Sequence, residues 1–155
     1  MCRIVSYLPE HRDGVVAVVK HVFDEYGFTW EAEGYCRDIY EVEGHYLAPG
    51  GGFWVVLDAA RIVGCAGVRL HNRESELHRL YLLSSHRGRG LGRRLIHRCL
   101  AYARRNGCAS MRAWSDVKLR DAHRLYLKLG FVPDGQRICD DPDQSRENGF
   151  LKEPL

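Results

Sequence analysis

The ten residues HRGRGLGRRL, positions 86–95, hold three glycines at alternate positions and four arginines. Glycine in a helix costs about 1 kcal/mol relative to alanine, so a helical segment that opens on three of them needs a reason. Close approach supplies one, because bare backbone lets a ligand lie against the peptide groups. Upstream, ELHRLYLL (76–83) reads as a strand. Downstream, Leu91, Leu95, Cys99 and Tyr102 recur at helical spacing, Arg104 and Arg105 stand in the last turn where they complement the dipole, and Asn106-Gly107 ends the helix. The segment is a strand–glycine–helix junction. Unpaired N–H groups, the positive end of the dipole and guanidinium side chains all favour a phosphate there. The plainer alternative is a tight turn on a solvated basic face.

The phosphate ligand is narrowed by spacing. Gly88-x-Gly90-x-Gly92 departs from GxGxxG, since Arg93 stands where the last glycine belongs, and the P-loop lysine is missing. Dinucleotide and P-loop readings lose their specific residues.

The rest of the chain alternates short strands with helices. RIVSYL (3–8) reads as a strand closed by Pro9, and Val15, Val18, Val19, Val22 and Tyr26 trace a helix stopped by Gly27. A second helix is expected within 31–46, with Tyr35, Ile39 and Val42 on one side, followed by the loop APGGG (48–52). FWVVLD (53–58) and RIVGCAGVRL (61–70) form a hairpin turning at Ala59 and Ala60, and 76–83 follows as the third strand of the group. After the glycine junction come a strand at 108–115, a helix at 119–129 closed by Gly130, a strand opening at FVP, and a last strand at NGFLK (148–152). No repeat or linker interrupts residues 1–155, which read as one α+β domain around a mixed sheet of about seven strands with four helices.

Composition excludes several function classes. With 45% hydrophobic and 28% charged residues the chain is neither disordered nor membrane-embedded. A net charge of +3 is mild and argues against nucleic acid as a partner. The longest aliphatic run, VVAVV, is far too short to span a bilayer, and the first residues lack an apolar signal core, so no membrane partner and a cytoplasmic setting are expected. Six cysteines lie far apart without a CxxC pair, and HExxH is absent, so reduced buried thiols and no metal site are expected.

Arg87-x-x-Gly90-x-Gly92 fits the R/Q-x-x-G-x-G/A signature of the GNAT acetyltransferases, and LHRLYLLSSHRGRGLGRRLI resembles the strand, loop and helix that carry it there. AHRLYLKLGF (122–131) resembles a second family motif at Ala122, Tyr126, Gly130 and Phe131. The element order β-α-α-β-β-β-α-β-α-β-β is also that family's, so the resemblance covers nearly the whole chain. One position departs: many relatives carry asparagine three residues before the alanine, and here it is Leu119.

The resemblance implies a GNAT fold and an acetyl-CoA-dependent N-acetyltransferase acting on a primary amine, small molecule or peptide, in a ternary complex. It also allows a homodimer. Backbone groups of Tyr81, Leu82 and Leu83 would pair with the pantetheine arm, and the N–H of Leu82 would hold the thioester oxygen. The amides of Arg87, Gly88, Arg89, Gly90, Leu91 and Gly92 would hold the pyrophosphate. Tyr126 resembles the family's general acid, its phenol being protonated at neutral pH and able to protonate a departing thiolate; the structural alternative is a packing aromatic. Glu76, eleven residues before Arg87, matches the offset of a catalytic glutamate in the histone acetyltransferase branch. His78, on the same strand face, is the second candidate base. The acceptor pocket is implied to involve residues 25–51 and 140–150, where Glu31, Glu33, Asp38, Glu41 and Glu43 stand near Trp30, Tyr35 and Tyr40 and suit a cationic amine. A non-catalytic acyl-CoA sensor or an RNA-binding module is the alternative, and the RNA reading requires affinity that falls steeply with salt.

Overall fold

A computed structural model describes all 155 residues. The elements are β1 (Cys2–Ser6), α1 (Arg12–Tyr26), α2 (Arg37–Tyr40), β2 (Gly52–Asp58), β3 (Arg61–His71), β4 (Glu74–Leu82), α3 (Leu91–Arg105), β5 (Ser110–Asp116), α4 (Arg120–Lys128), β6 (Val132–Ile138) and β7 (Arg146–Lys152), with a π-helical turn at Glu43–Leu47. The strands form one sheet in the order β1-β2-β3-β4-β5-β7-β6. Every neighbouring pair is antiparallel except β4 and β5. That parallel pair follows from the crossover through α3, since parallel strands need a long connection. No helix is long and apolar enough to cross a membrane.

Strand alternation sends side chains to two cores. Trp54, Val56, Val63, Ala66 and Val68 pack against Leu91, Leu95, Ile96, Cys99 and Leu100 of α3, and Tyr126 of α4 joins them. Phe53, Val55 and Cys65 point the other way, onto Val15, Val19 and Phe23 of α1 and Ile39, Val42 and Tyr46 beyond it. The stripe read from sequence in α3 is the buried one, and Gly27 ends α1 at φ 75° as a left-handed cap. The β2–β3 hairpin turns at Ala59 with φ 53°.

The second helix differs from expectation. Residues 32–36 are turns, α2 is only four residues long, and Glu43–Leu47 winds as a π-helix. Gly34 and Gly44 weaken a continuous helix, and two polar interior partners decide the rest: Asp38 and Tyr46 both turn inward, where Tyr46 donates a hydrogen bond to Asp38 Oδ2 at 2.5 Å. All six cysteines are unpaired and five are buried. The fold also gathers Cys2, Asp58 and His86, whose donor atoms lie within 4.8 Å of one another, residues too distant in sequence for any spacing rule.

Candidate active site

The site begins where β4 and β5 part. Their pairing runs only from Glu74↔Ser110 to Leu77↔Ala113, although β4 continues to Leu82 and β5 to Asp116. A bulge assists the divergence: the β3–β4 register shifts between Cys65 and Gly67, and Arg79 there adopts φ 53°. The gap is a cleft of about 410 Å³ lined by residues that include Glu76, His78, Tyr81, Trp114 and Tyr126. Its β4 edge carries unpaired backbone. Leu83 donates its N–H to the Val63 carbonyl at 2.9 Å, so alternation turns the groups of Leu82 to the opposite edge, facing the gap. The Leu82 carbonyl accepts from Arg87, at 3.1 Å from Nε and 2.9 Å from Nη2, which leaves the N–H aimed at the cleft.

At the end of β4 the chain enters the glycine junction. Gly88 and Gly90 adopt φ 75° and 80°, the left-handed region, and a Cβ at either would meet no protein atom within 4 Å. Gly90 precedes α3. From Gly88 to Arg93 no backbone N–H donates to a protein acceptor, a run longer than the four orphan donors of an ordinary helix start. These residues fit an anionic pyrophosphate. Two of the sequence-chosen residues behave otherwise. The Arg87 guanidinium is committed, its Nη atoms reaching the Glu25 carboxylate at 2.7 and 2.8 Å while it clamps Leu82. Leu83 has both backbone groups bonded within the chain, since its carbonyl accepts from the His86 N–H at 2.9 Å.

Tyr126 is buried, with its ring centroid 5.4 Å from that of Phe131 and 5.2 Å from that of Phe150. Burial pushes its phenol well above the ordinary tyrosine range, with Tyr81 and Cys99 adding to the effect. Glu76 is flanked by His78 Nε2 at 3.2 Å and His71 Nε2 at 3.4 Å. The close contact with His78 is the main reason its carboxyl is held below the usual range, burial opposing and His71 adding. His78 Nε2 is nonetheless poorly aligned for a hydrogen bond and has no satisfying partner.

Residues 16–131 match the model of the Acetyltransferase (GNAT) family. This chain belongs to that family. The uncharacterized N-acetyltransferase YjgM of Escherichia coli is 32% identical over 126 residues, covering 76% of this chain and 74% of that one. N-acetyltransferase 8 of Mus musculus is 29% identical over 110 residues, and there the match spans 66% of this chain but only 48% of the mouse protein. The fold agrees with that of a GNAT acetyltransferase from Staphylococcus aureus at a TM-score of 0.87, with 19% identity over 99% of both chains. It also agrees with that of yncA from Salmonella typhimurium, solved with acetyl-CoA, at a TM-score of 0.78 and 19% identity over 99% of this chain and 94% of that one. The chain is an N-acetyltransferase of the GNAT family.

Of the acids expected beside the acceptor, Glu31, Glu33, Asp38, Glu41 and Glu43, only Asp38 lines this GNAT cleft. Asp38 is buried against Arg79. Glu41 pairs with Arg37 at 3.5 Å and His45 at 3.2 Å, and Glu31 accepts from the Tyr35 N–H at 3.3 Å. Glu43 acts on Tyr7, where burial and then its charge raise the phenol to about 12. Sequence reasoning missed Glu25, Arg69 and Arg79. The last two had a signal, each an arginine set among apolar strand residues, in AGVRL and LHRLYLL; Glu25 lies among ordinary surface-type residues.

Proposed function

We propose that this chain moves an acetyl group from acetyl-CoA to a primary amine by direct attack in a ternary complex, with Tyr126 as general acid and Glu76 as base. The observation that carries the reading is the shared cleft: a buried phenol and an ionised carboxylate line one gap whose β4 edge offers the Leu82 N–H.

The amides from Gly88 to Gly92 hold the pyrophosphate, with Arg89 and the helix dipole adding positive potential. Tyr81 and Leu82 line the path of the pantetheine arm, and Arg87 acts as a positioning residue that fixes the Leu82 peptide. The Leu82 N–H then meets the thioester oxygen where negative charge develops in the transition state. Glu76, directly or through water, takes a proton from the ammonium form of the acceptor. The neutral nitrogen attacks the thioester carbon, the C–S bond breaks, Tyr126 gives its phenolic proton to the thiolate sulfur, and the proton the nitrogen sheds as it becomes an amide passes through water to restore the phenol. Leu119, in place of the family's asparagine, removes one polar contact to the arm. Five buried, unpaired thiols suit a reducing cytoplasmic setting.

The test is calorimetric titration with acetyl-CoA, with CoA, NAD and ATP beside it, followed by turnover with amines. Micromolar affinity confined to acetyl-CoA and CoA, with amine-dependent release of CoA, is the expected result. Loss of all nucleotide binding together with salt-sensitive RNA affinity would overturn the reading.

A further inference from the structure

The carboxylates of the cleft have partners: Asp38 is held by Arg79, Glu147 by Arg137 and Glu76 by its two histidines, while Asp116 accepts from the Lys118 N–H and Asp141 from the N–H and hydroxyl of Ser145. Among the guanidiniums of the cleft, Arg69 alone has neither an ion pair nor a hydrogen bond, and its Nε is buried without a partner. The guanidinium lies 4.8 Å from the centre of the Tyr46 ring. That ring face attracts the cation but accepts none of its fork of N–H donors. A buried donor left unmet is costly, and an anion presented to it recovers that cost.

The position is also held rigidly. Tyr46 bonds to Asp38, which bonds to Arg79, so the surface supporting Arg69 is fixed before any ligand arrives. Register then places Arg69 directly opposite Glu76 across β3 and β4, on the strand face shared with His78. Side chains directly opposite in an antiparallel pair start about 5 Å apart. A cation for an anionic group and a base for an amine therefore stand side by side.

We infer that the acceptor is a small zwitterion of the amino-acid type, with Arg69 receiving its carboxylate and Glu76 facing its amine; this rests on the transferase reading above. The planar fork of Arg69 matches a carboxylate through two parallel bonds. A plain alkylamine leaves the fork unmet, and a polyamine sets a second cation against it. The inference thus reverses the cationic acceptor suggested by the acids in the sequence, of which only Asp38 lines the cleft, already held by Arg79.

The experiment measures turnover of the full chain with each of the twenty common L-amino acids, its α-carboxamide and its decarboxylated amine. Binding of the same compounds to the protein–CoA complex is followed by calorimetry. For the accepted amino acid, kcat/KM should exceed that of its carboxamide and its amine by roughly 100-fold or more, as for a site built around one polar group. Arg69→Gln should abolish that preference mainly through KM, Arg69→Lys should restore part of it, and both should bind acetyl-CoA as the parent does. Carboxamides or amines as good as the acids, a preference that survives Arg69→Gln, or no binding of any acceptor would overturn it. Carboxylate-dependent binding without product in any mixture would instead sink the transferase reading and leave the Arg69 site standing.

Discussion

Arg79 grips Asp38 through two bonds, Nε to Oδ2 at 3.0 Å and Nη2 to Oδ1 at 2.8 Å, with both side chains less than a tenth exposed. The same Nη2 donates to the Tyr35 carbonyl at 2.6 Å. The pair joins α2 to the bulge of β4 and holds Arg79 in a left-handed conformation that L residues otherwise avoid at about 1–2 kcal/mol. Removing one partner strands the other charge in the interior. Asp38→Ala should therefore cost about 3–5 kcal/mol and lower the melting temperature by roughly 6–20 °C. A thermal melt within 1 °C of the parent would refute this.

The same pair carries a pH signature. Burial alone would raise the Asp38 carboxyl, but the charge and hydrogen bonds of Arg79 and the Tyr46 bond outweigh it and hold it low. A depressed folded value contributes stability that is fully present above the unfolded carboxylate range, about pH 4. It is lost as pH falls through the folded value. Acid titration of stability should show the parent losing this contribution below about pH 4 and Asp38→Asn losing none of it there.

The three glycines of the junction should not respond alike. Gly90 has φ 80°, so Gly90→Ala meets backbone strain of about 1–2 kcal/mol even though a Cβ there has open space. That open space is where the pyrophosphate is proposed to lie, so acetyl-CoA affinity should fall about ten-fold or more. At Gly92, in the first turn of α3, an added Cβ would instead point into the protein, meeting Leu125 Cδ2 at 3.1 Å and Leu82 Cδ1 at 3.6 Å, both ends of flexible side chains, and would leave the amide free for the phosphate. Helix propensity favours alanine by about 1 kcal/mol, so Gly92→Ala should leave the melting temperature near the parent value and retain binding. Parallel calorimetry and melts separate the two.

Much of this was legible in the chain, for identifiable reasons. The stripe of α3, the Gly27 cap, the Ala59 hairpin and the junction at 86–95 are set by local periodicity and turn chemistry, which act over a few residues. Glu76 and His78 share a face because alternation holds on that part of β4. What escaped is long-range. The Arg87 guanidinium is tied to Glu25, 62 residues away. The helix expected within 31–46 broke because Asp38 and Tyr46 answer to Arg79 on another element. The Leu83 N–H is taken by the Val63 carbonyl, which only the β3–β4 register reveals.

Tyr126 can be tested without disturbing the core. Its ring packs between Phe131 and Phe150, and phenylalanine keeps that packing. Tyr126→Phe should change stability by less than about 1 kcal/mol, in line with other volume-conserving swaps, and leave acetyl-CoA affinity intact. It should lower kcat by about ten-fold or more, the lower range for loss of a general acid. Because burial raises the phenol, the parent should show no loss of rate from this group on the alkaline side below the ordinary tyrosine range. Undiminished turnover in the variant would remove Tyr126 from the mechanism.

Glu76 titrates in the opposite sense. Contact with His78 first, against burial and aided by His71, holds its carboxyl below the usual range, so it is ionised throughout the neutral region. As the base it functions above that low value and is lost as pH falls through it. Glu76→Gln should lower kcat about 100-fold, typical of a lost base, and by the same factor from pH 6 to 8. The gap between parent and variant should narrow only below about pH 4.5, where the parent carboxylate itself protonates. A limb between pH 6 and 7 then reports a histidine or the acceptor amine. If Glu76→Gln keeps the parental rate at pH 7.5 while His78→Gln abolishes such a limb, His78 is the base and Glu76 only orients it.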